Sequence, residues 1–288
     1  MTETHAVYSV QTKVLRAIAW IFLLVLSLLM IFPVVYVVLG SFKQNAELLV
    51  GGVNLFPHKF SLANYTQAWN QANFARYTLN SIFLAAGVML LSLLTSTMTG
   101  YVFSRRQFRG KNFLYGLFIA FMFINVGSVS LRPLFELAVL LKVNKTLWSV
   151  IFISAGTGQA TYIFLAKGFV DSLPRELDEA AKIDGCTFFQ TYHLIIAPLL
   201  KPVIATIALL SFRQGWNEYI LPLVFTMTND TMRPLTVGVN MLKNAGDGTA
   251  AWNIMFAGAT IAVVPMLLVY CFFSRYFMGG MASGAVKG

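Results

Sequence analysis

Long blocks of apolar residues, separated by shorter polar segments, dominate the pattern along this chain. A helix needs about 20 apolar residues to cross a hydrocarbon core of about 30 Å. Continuous runs of this length exclude the alternating strands of a membrane barrel. The sequence therefore predicts an all-α, polytopic membrane protein. We expect six transmembrane helices, over residues 17–39, 80–103, 113–131, 147–166, 203–227 and 255–277.

The composition agrees with this prediction and constrains the orientation. Only 11% of the 288 residues are charged, whereas soluble domains carry about a quarter. The net charge of +10 would also suit a nucleic-acid-binding protein, but the basic residues lie in short loops between apolar spans, which is typical of a membrane protein. We therefore expect membrane lipid and no nucleic acid as a partner. One tight loop carries only basic charges and should face the cytoplasm: Arg105, Arg106, Arg109 and Lys111.

This orientation, with six spans, places both termini in the cytoplasm. We expect a cytoplasmic N-terminus at 1–16, a transmembrane domain at 17–277 and a cytoplasmic tail at 278–288. The first span is longer than the apolar core of a signal peptide, so we expect it to be retained. Outside the membrane, the segment after Pro133 is amphipathic and predicts a short interfacial helix.

The longest cytoplasmic loop, residues 167–201, has an unusual pattern. Acidic residues follow Pro174, as the dipole of a helix favours near its N-terminus, and Gly185 can end that helix in the left-handed conformation. Thr187 and Gln190 form a T-x-x-Q capping box that opens a second helix, which we expect to stop near Pro198. The loop holds five of the chain's eleven acidic residues: Asp171, Glu176, Asp178, Glu179 and Asp184.

Two hypotheses fit this pair of short helices. The loop could be a well-capped connection, or it could be a surface for a partner. The small side chains of Ala180 and Ala181 would permit close approach by a neighbouring helix or cleft. The residue pattern alone does not favour either hypothesis.

A motif in the same loop resembles the EAA motif of ABC-importer permeases, whose pattern is EAA-x3-G-x9-I-x-L-P. The matching residues are Glu179, Ala180, Ala181, Gly185, Ile195 and Pro198, with Ala197 where the family usually has Leu. Three further segments resemble the carbohydrate, maltose-type branch of these permeases: NSIFLA from Asn80, WNEYILPLVF from Trp216, and the tail GAVKG at 284–288. The chain is thus identified as a member of that family, with similarity over nearly its whole length.

The resemblance implies a type I ABC importer permease that moves a sugar or oligosaccharide by alternating access across the cytoplasmic membrane of a prokaryote. It also implies several partners: a second homologous permease, two ATPase subunits and an extracytoplasmic sugar-binding protein. The chain has no G-x-x-x-x-G-K-[ST] sequence, so we expect ATP and magnesium in the partner ATPase and no enzymatic activity here. The contact with the ATPase is implied for Glu179, Ala180, Ala181, Asp184, Gly185 and Pro198.

Other functions and substrates remain open at this point. The same importer class could carry a sugar derivative or an anionic saccharide, such as glycerol phosphate or an acidic oligosaccharide. A secondary transporter could also have six spans but would not need the acidic loop. A membrane-embedded enzyme would need catalytic groups that the spans lack, and Cys186 and Cys271 fall in no metal or redox motif.

The fifth predicted span contains polar residues that are costly in lipid and therefore expected to face the bundle interior or a water-filled path. One hypothesis is that they line the translocation path, hydrogen-bond to sugar hydroxyls and offer an indole for stacking. The other is that they form a polar contact between the two permease subunits or stabilise a gate. The residues are Arg213, Gln214, Trp216, Asn217 and Glu218.

The external segment 228–254 resembles the family's loop that enters the cleft of the binding protein. Asn240, Asn244 and Asp247 are the candidate contacts, and an ordinary solvent-exposed loop is the alternative. The tail at 284–288 either reaches between the two ATPase subunits, as the similar tail does in the maltose system, or is a frayed terminus.

Overall fold

The computed structural model describes residues 10–50, 54–124, 127–245 and 250–285. All regular elements in these residues are helical, which confirms the all-α prediction. The α-helices are α1 (Val10–Gly40), α2 (Asn45–Leu49), α3 (Ala63–Gln71), α4 (Phe74–Arg105), α5 (Lys111–Phe123), α6 (Leu131–Leu140), α7 (Leu147–Asp171), α8 (Glu176–Ile183), α9 (Phe188–Leu199), α10 (Lys201–Asn217), α11 (Ile220–Phe225), α12 (Leu235–Met241) and α13 (Trp252–Ala285). Short 3₁₀ helices occupy Gly127–Ser130, Asp230–Met232 and Leu242–Ala245.

Within the described ranges, four helices are long and apolar enough to cross a membrane. These segments, Thr12–Gly40, Phe74–Arg105, Leu147–Asp171 and Trp252–Cys271, correspond to the first, second, fourth and sixth predicted spans. The consecutive helices α9 and α10 meet the same criterion together but are bent by 82° at their junction. In the described residues, two of the six predicted spans are therefore not continuous helices.

The third predicted span, 113–131, is interrupted. Helix α5 has 13 residues, which corresponds to about 20 Å and is shorter than the hydrocarbon core. The chain leaves the helix at Ile124, which is extended with φ −95° and ψ 107°. The chain continues as a 3₁₀ turn and helix α6, which contains Pro133 in its first turn and matches the short helix predicted there.

The fifth predicted span, 203–227, is also interrupted, at Glu218. This residue is extended, with φ −63° and ψ 127°, and a short helix follows at α11. Pro222 explains the break, because a proline ring clashes with the carbonyl four residues earlier, here that of Glu218. The Thr236 hydroxyl donates a hydrogen bond of 2.8 Å to the Glu218 carbonyl oxygen.

The chain divides into two compact units, residues 1–68 with 242–260 and residues 69–241 with 261–288. In the first unit, a buried network of amide side chains joins distant segments. The Asn64 amide donates to the carbonyl oxygens of Ser41 and Lys43 at 2.7 and 2.8 Å, and the Asn253 amide donates to Asn64 Oδ1 at 2.8 Å. This network anchors the segment that follows α1.

The second unit is built on the mutual packing of α4, α7 and α10. One apolar cluster includes Leu84, Ile151 and Phe225, and another includes Tyr101, Ile196 and Ile207. Helices α4 and α7 approach so closely at Gly100 that an added Cβ would lie 2.7 Å from the Ala166 Cβ. The loop 167–201 and the polar residues of α10 lie on or next to these three helices.

Candidate functional site

The loop between α7 and α10 forms the two short helices that the sequence predicts, α8 and α9. Helix α8 begins one residue after Arg175, so Pro174 lies just before the helix rather than inside its first turn. Helix α9 ends at Leu199, immediately after Pro198. Pro202 favours this end point, since its ring would clash with the carbonyl of Pro198 in a continuous helix.

A Schellman motif ends α8 at Gly185. The Cys186 N–H donates to the Ala181 carbonyl at 2.9 Å, and the Gly185 N–H donates to the Lys182 carbonyl at 3.2 Å. Gly185 has a φ of 79°, the left-handed conformation that glycine adopts without steric cost. The predicted role of Gly185 in the turn is confirmed.

The predicted capping box is also present at the start of α9. The Gln190 N–H donates to Thr187 Oγ1 at 3.3 Å, and the Thr187 N–H donates to Gln190 Oε1 at 2.8 Å. These bonds satisfy two backbone donors that the first helical turn would leave without partners. The centre of α9, Thr191–Ile196, is a π-helical segment, which accommodates Pro198 without its full hydrogen-bond ladder.

Asp178 anchors α8 to the last turn of α4. Its Oδ2 atom forms an ion pair of 2.8 Å with Arg105 Nε, and its Oδ1 atom accepts a hydrogen bond of 2.6 Å from the Tyr101 hydroxyl. The Arg105 side chain is only 7% exposed and also donates to the Leu173 carbonyl at 2.9 Å. One carboxylate therefore fixes the position of α8 relative to α4.

Aromatic and polar contacts extend this anchor to the neighbouring segments. The Phe188 ring stacks on Tyr101 with centroids 4.5 Å apart, and the Arg106 guanidinium lies 4.2 Å from the Phe188 centroid. At the end of α7, Asp171 accepts hydrogen bonds of 2.6 Å from both Ser104 and Lys167. Both ends of the loop are thus attached to the α4–α7 pair.

The motif residues divide between a buried and an exposed side of α8. Ala181 is fully buried, and Leu177 and Asp178 are partly buried against the helical bundle. Ile183, although apolar, is 86% exposed. The exposed residues form one surface, here called the α8 ridge: Glu179, Ala180, Ile183, Asp184 and Gly185.

The polar group in α10 is arranged around Gln214. The Tyr162 hydroxyl donates to Gln214 Oε1 at 2.7 Å, and the Gln214 amide donates to Ser154 O at 2.6 Å and to Thr157 Oγ1 at 2.9 Å. All of the amide's hydrogen-bonding groups are therefore used within the chain. Gln214 joins α10 to α7 rather than presenting a free amide.

A hollow of about 360 Å³ opens beside this contact. Arg213 and Asn217 line it with Gln214, and both Arg213 and Asn217 are exposed. Its full lining is Gly158, Thr161, Tyr162, Leu210, Arg213, Gln214 and Asn217. Below, this feature is called the α7–α10 hollow.

Two predicted members of the polar group do not reach the hollow. Trp216 is 5% exposed and stacks on Phe212 with centroids 5.9 Å apart, so its ring is not available as a platform for a sugar in this conformation. Glu218 lies beyond the end of α10, although the predicted span would have kept it in the same helix. The break at Glu218 caused by Pro222 explains the second difference.

The candidate contacts for a binding protein are placed only in part. Asn240 is exposed in α12 and accepts a hydrogen bond of 3.1 Å from the Tyr219 hydroxyl. Asn244 is exposed in the 3₁₀ turn Leu242–Ala245, in the other compact unit. Asp247 and residues 286–288 of the tail lie outside the described residues.

Several interacting residues were not singled out by the sequence. The sequence pattern marked Arg105 only as one charge of a basic loop, and it gave no reason to select Tyr101 or Tyr162. Each is far in sequence from its partner, so neither helical periodicity nor a local motif indicates the pairing. For Arg105 there was one signal: the predicted topology puts its basic loop and the acidic loop 167–201 on the same, cytoplasmic side of the membrane.

Comparison with known proteins gives a consistent result. Residues 92–282 match the family described as the binding-protein-dependent transport system inner membrane component. The arabinooligosaccharides transport system permease protein of Bacillus subtilis is 31% identical over 98% of this chain and 99% of that protein. The sulfoquinovosyl glycerol transport system permease protein of Agrobacterium fabrum is 30% identical over 96% of this chain and 94% of that protein.

A solved structure supports the same fold. A chain of a bacterial ABC transporter involved in the import of the acidic polysaccharide alginate superposes with a TM-score of 0.80, at 22% identity over 94% of this chain and 99% of that chain. The apolar helices, the family match over residues 92–282 and the two related permeases, which are matched over 99% and 94% of their lengths, all indicate the same family. The chain belongs to the family of binding-protein-dependent transport system inner membrane components, the multi-pass permease subunits of ABC importers.

Proposed function

We propose that this chain is a permease subunit through which an ATP-driven, binding-protein-dependent importer moves a sugar or oligosaccharide inward, and that the α8 ridge transmits the ATPase's motion. The two relatives described above are permeases for arabinooligosaccharides and for sulfoquinovosyl glycerol. Their similarity over nearly the whole chain supports a saccharide as the transported molecule. Alternating access is the mechanism that this architecture implies.

The observation that carries the proposal is the two-sided character of α8. Its inner side is held by the Asp178 contacts and by buried Ala181, whereas Glu179 and Ile183 point away from the bundle. Ile183, which is 86% exposed, is the large apolar side chain of the ridge and can enter an apolar cleft on a partner. Glu179 can meet a basic group beside that cleft.

The α8 ridge is thereby proposed as the contact with an ATPase subunit, with Glu179, Ala180, Asp184 and Gly185 at the surface. Ala181 and Pro198 have a different role: Ala181 packs α8 against the bundle, and Pro198 shapes the end of α9. A force on the ridge would reach α4 through Asp178 and α10 through α9. This route connects the ATPase to the helices beside the α7–α10 hollow.

The remaining partners follow from the same proposal. The importer would contain a second homologous permease, two ATPase subunits that bind ATP and magnesium, and an extracytoplasmic sugar-binding protein. Both termini and the α8 ridge would face the cytoplasm. Asn240, Asn244 and Asp247 are the proposed contacts for the binding protein, and the tail at 284–288 is proposed to approach the ATPase pair.

The test is ATP-dependent uptake by proteoliposomes that contain the complete complex. Labelled arabinotriose is the first probe, with and without the binding protein. Glu179→Lys should abolish uptake and release the ATPase, because it reverses a charge on the exposed ridge. Glu136→Lys is the matched control, since Glu136 is also an exposed helical glutamate but lies in α6.

Retention of the ATPase and of uptake in Glu179→Lys would contradict the role of the ridge. Uptake that continues without ATP would contradict the importer and favour a secondary transporter. Loss of uptake in both variants would indicate a general effect of charge reversal instead of a specific contact.

A further inference from the structure

We infer that the α7–α10 hollow is a subsite for a saccharide that carries an anionic group, and that Arg213 is the residue that selects it. This inference rests on the proposed importer function and specifies its substrate class. The relevant chemistry is a carboxylate or sulfonate on a sugar ring. Both present oxygen atoms that a guanidinium can bind through paired, charge-assisted hydrogen bonds.

The first step is the position of Arg213 in the membrane. Helix α10 begins at Lys201, and Arg213 lies twelve residues later, about 18 Å along the axis at 1.5 Å per residue. With Lys201 at the cytoplasmic end of the span, as the predicted topology has it, a distance of about 18 Å into a core of about 30 Å places this guanidinium inside the hydrocarbon layer. A charge at this depth must face a water-filled path or another polar group, because exposure to lipid costs several kcal/mol.

The second step is the lack of a counterion in the described residues. Four ion pairs occur there, and none includes Arg213; nor does its side chain form a hydrogen bond to any described group. Glu218, the nearest carboxylate in sequence, is turned into the break after α10, where it lies 3.5 Å from the Leu221 nitrogen. The guanidinium therefore keeps its full capacity to bind an anion.

The third step is the chemistry of the surrounding hollow. Thr161 and Asn217 are exposed there and make no side-chain hydrogen bond with the rest of the described chain. They can donate to and accept from sugar hydroxyls. Gln214, by contrast, is fully occupied, and it fixes Tyr162 at the wall. The hollow thus combines one unpaired cation with two free neutral polar groups.

The fourth step is the absence of competing negative charge. The residues that line the hollow include one cation and no acid. A neutral saccharide would satisfy Thr161 and Asn217 but would leave the Arg213 guanidinium in the hollow without an anion. An anionic saccharide satisfies all three groups, and the low dielectric of the surroundings strengthens the charged contact.

The size of the hollow fits this assignment. About 360 Å³ lies at the lower end of the range for sites that bind small molecules. A single sugar unit can enter it, whereas the rest of an oligosaccharide would extend beyond this subunit. The hollow is therefore a subsite for one anionic unit of the transported molecule.

The experiment uses proteoliposomes with the complete complex, its binding protein and ATP. Two matched pairs of labelled probes distinguish the source of the charge: 4-linked digalacturonate against 4-linked galactobiose for a carboxylate, and sulfoquinovosyl glycerol against galactosyl glycerol for a sulfonate. The wild type should take up at least one acidic probe more efficiently than its neutral counterpart. The pair that shows the preference identifies the anionic group.

Arg213→Gln should reduce uptake of the preferred acidic probe by about tenfold or more, as expected for loss of a charge-assisted contact, while neutral uptake changes less than about twofold. For Arg213→Lys, uptake of the preferred acidic probe should lie between that of the wild type and that of Arg213→Gln, because lysine keeps the charge but not the planar guanidinium. Lys201→Gln is the control, because Lys201 is an exposed cation at the other end of the same helix.

Three results would overturn the inference. These are a wild type without preference for either acidic probe, an equal loss of acidic and neutral uptake in Arg213→Gln, and dissociation of the two permeases in that variant. The last would place the counterion on the partner permease. Neutral uptake that depends on ATP and the binding protein would show that the importer function stands while this inference fails; no uptake of any sugar would count against the importer itself.

Discussion

The Nε atom of Arg105 lies 2.8 Å from Oδ2 of Asp178, and this ion pair joins the last residue of the long helix α4 to the residue immediately before Glu179. The pair has little contact with solvent, and the Tyr101 hydroxyl binds the second carboxylate oxygen. A movement of α8 must therefore move the end of α4 or break a buried ion pair. This contact gives the proposed coupling a physical path.

We first predict that Arg105→Met destabilises the permease by about 2–4 kcal/mol, because it leaves the partly buried Asp178 carboxylate with one hydrogen bond and without its ion-pair partner. The control is Arg132→Met, which removes an i,i+4 pair whose members are 89% and 65% exposed, and which should cost no more than about 0.5 kcal/mol. Denaturant unfolding in detergent, followed by circular dichroism, measures both. Equal effects would contradict the structural importance of the buried pair.

The same ion pair gives a prediction about coupling. Asp178→Asn keeps the shape of the side chain and one oxygen for Tyr101, but it removes the attraction to Arg105. We expect the variant complex to hydrolyse more ATP per sugar transported than the wild type, because α8 can move without α4. Parallel measurement of ATP hydrolysis and uptake tests this. An unchanged ratio would mean that the pair serves stability alone.

Gly185 and Gly110 form a matched pair for testing the turn after α8. Both are left-handed, with φ of 79° and 83°, and an added Cβ would meet no atom within 4 Å at either position. Alanine should therefore strain both backbones similarly, by about 1 kcal/mol. We expect only Gly185→Ala to reduce uptake and ATPase binding, since Gly110 lies in the basic loop before α5. Similar loss in both variants would argue against a specific role for the turn.

Two glycines in α7 provide a test of the contact between Tyr162 and Gln214. A Cβ at Gly158 would lie 2.5 Å from Gln214 Oε1 and 2.6 Å from the Tyr162 ring, whereas Gly156 is open. Gly156→Ala should be neutral or stabilising by up to about 1 kcal/mol, as expected for a helix interior. Gly158→Ala should lower the melting temperature and reduce uptake. A melting temperature that rises equally in both variants would show that the Gln214 side chain can move without loss of stability.

The capping box predicts a local effect on dynamics. Thr187→Ala removes the acceptor for the Gln190 N–H and should cost about 1 kcal/mol, with faster hydrogen exchange at the start of α9. Thr95→Ala is the control, because the Thr95 hydroxyl bonds only to carbonyls of its own helix. Hydrogen-exchange mass spectrometry can compare the two. Unchanged exchange in α9 would contradict the stabilising role of the box.

Local sequence patterns predicted the structure correctly wherever it depends on neighbouring residues. The capping box and the left-handed glycine involve residues three to five positions apart, so their geometry follows from spacing. Long apolar runs likewise predict helices without knowledge of the fold. The predictions were wrong at Ile124 and Glu218, where the helix ends inside an apolar run that is long enough to suggest one continuous span.

Local patterns in the sequence were sufficient to show that the chain is helical, that it belongs in a membrane, and that its acidic loop forms two capped helices. The packing of distant segments placed Asp178 against Arg105 and brought the Tyr162 hydroxyl into a hydrogen bond with Gln214. It also buried Trp216 and left Arg213 exposed. These pairs are separated by many tens of residues and joined by the packing of α4, α7 and α10. Local propensity specifies each helix, but the side chains that meet depend on how the helices pack together.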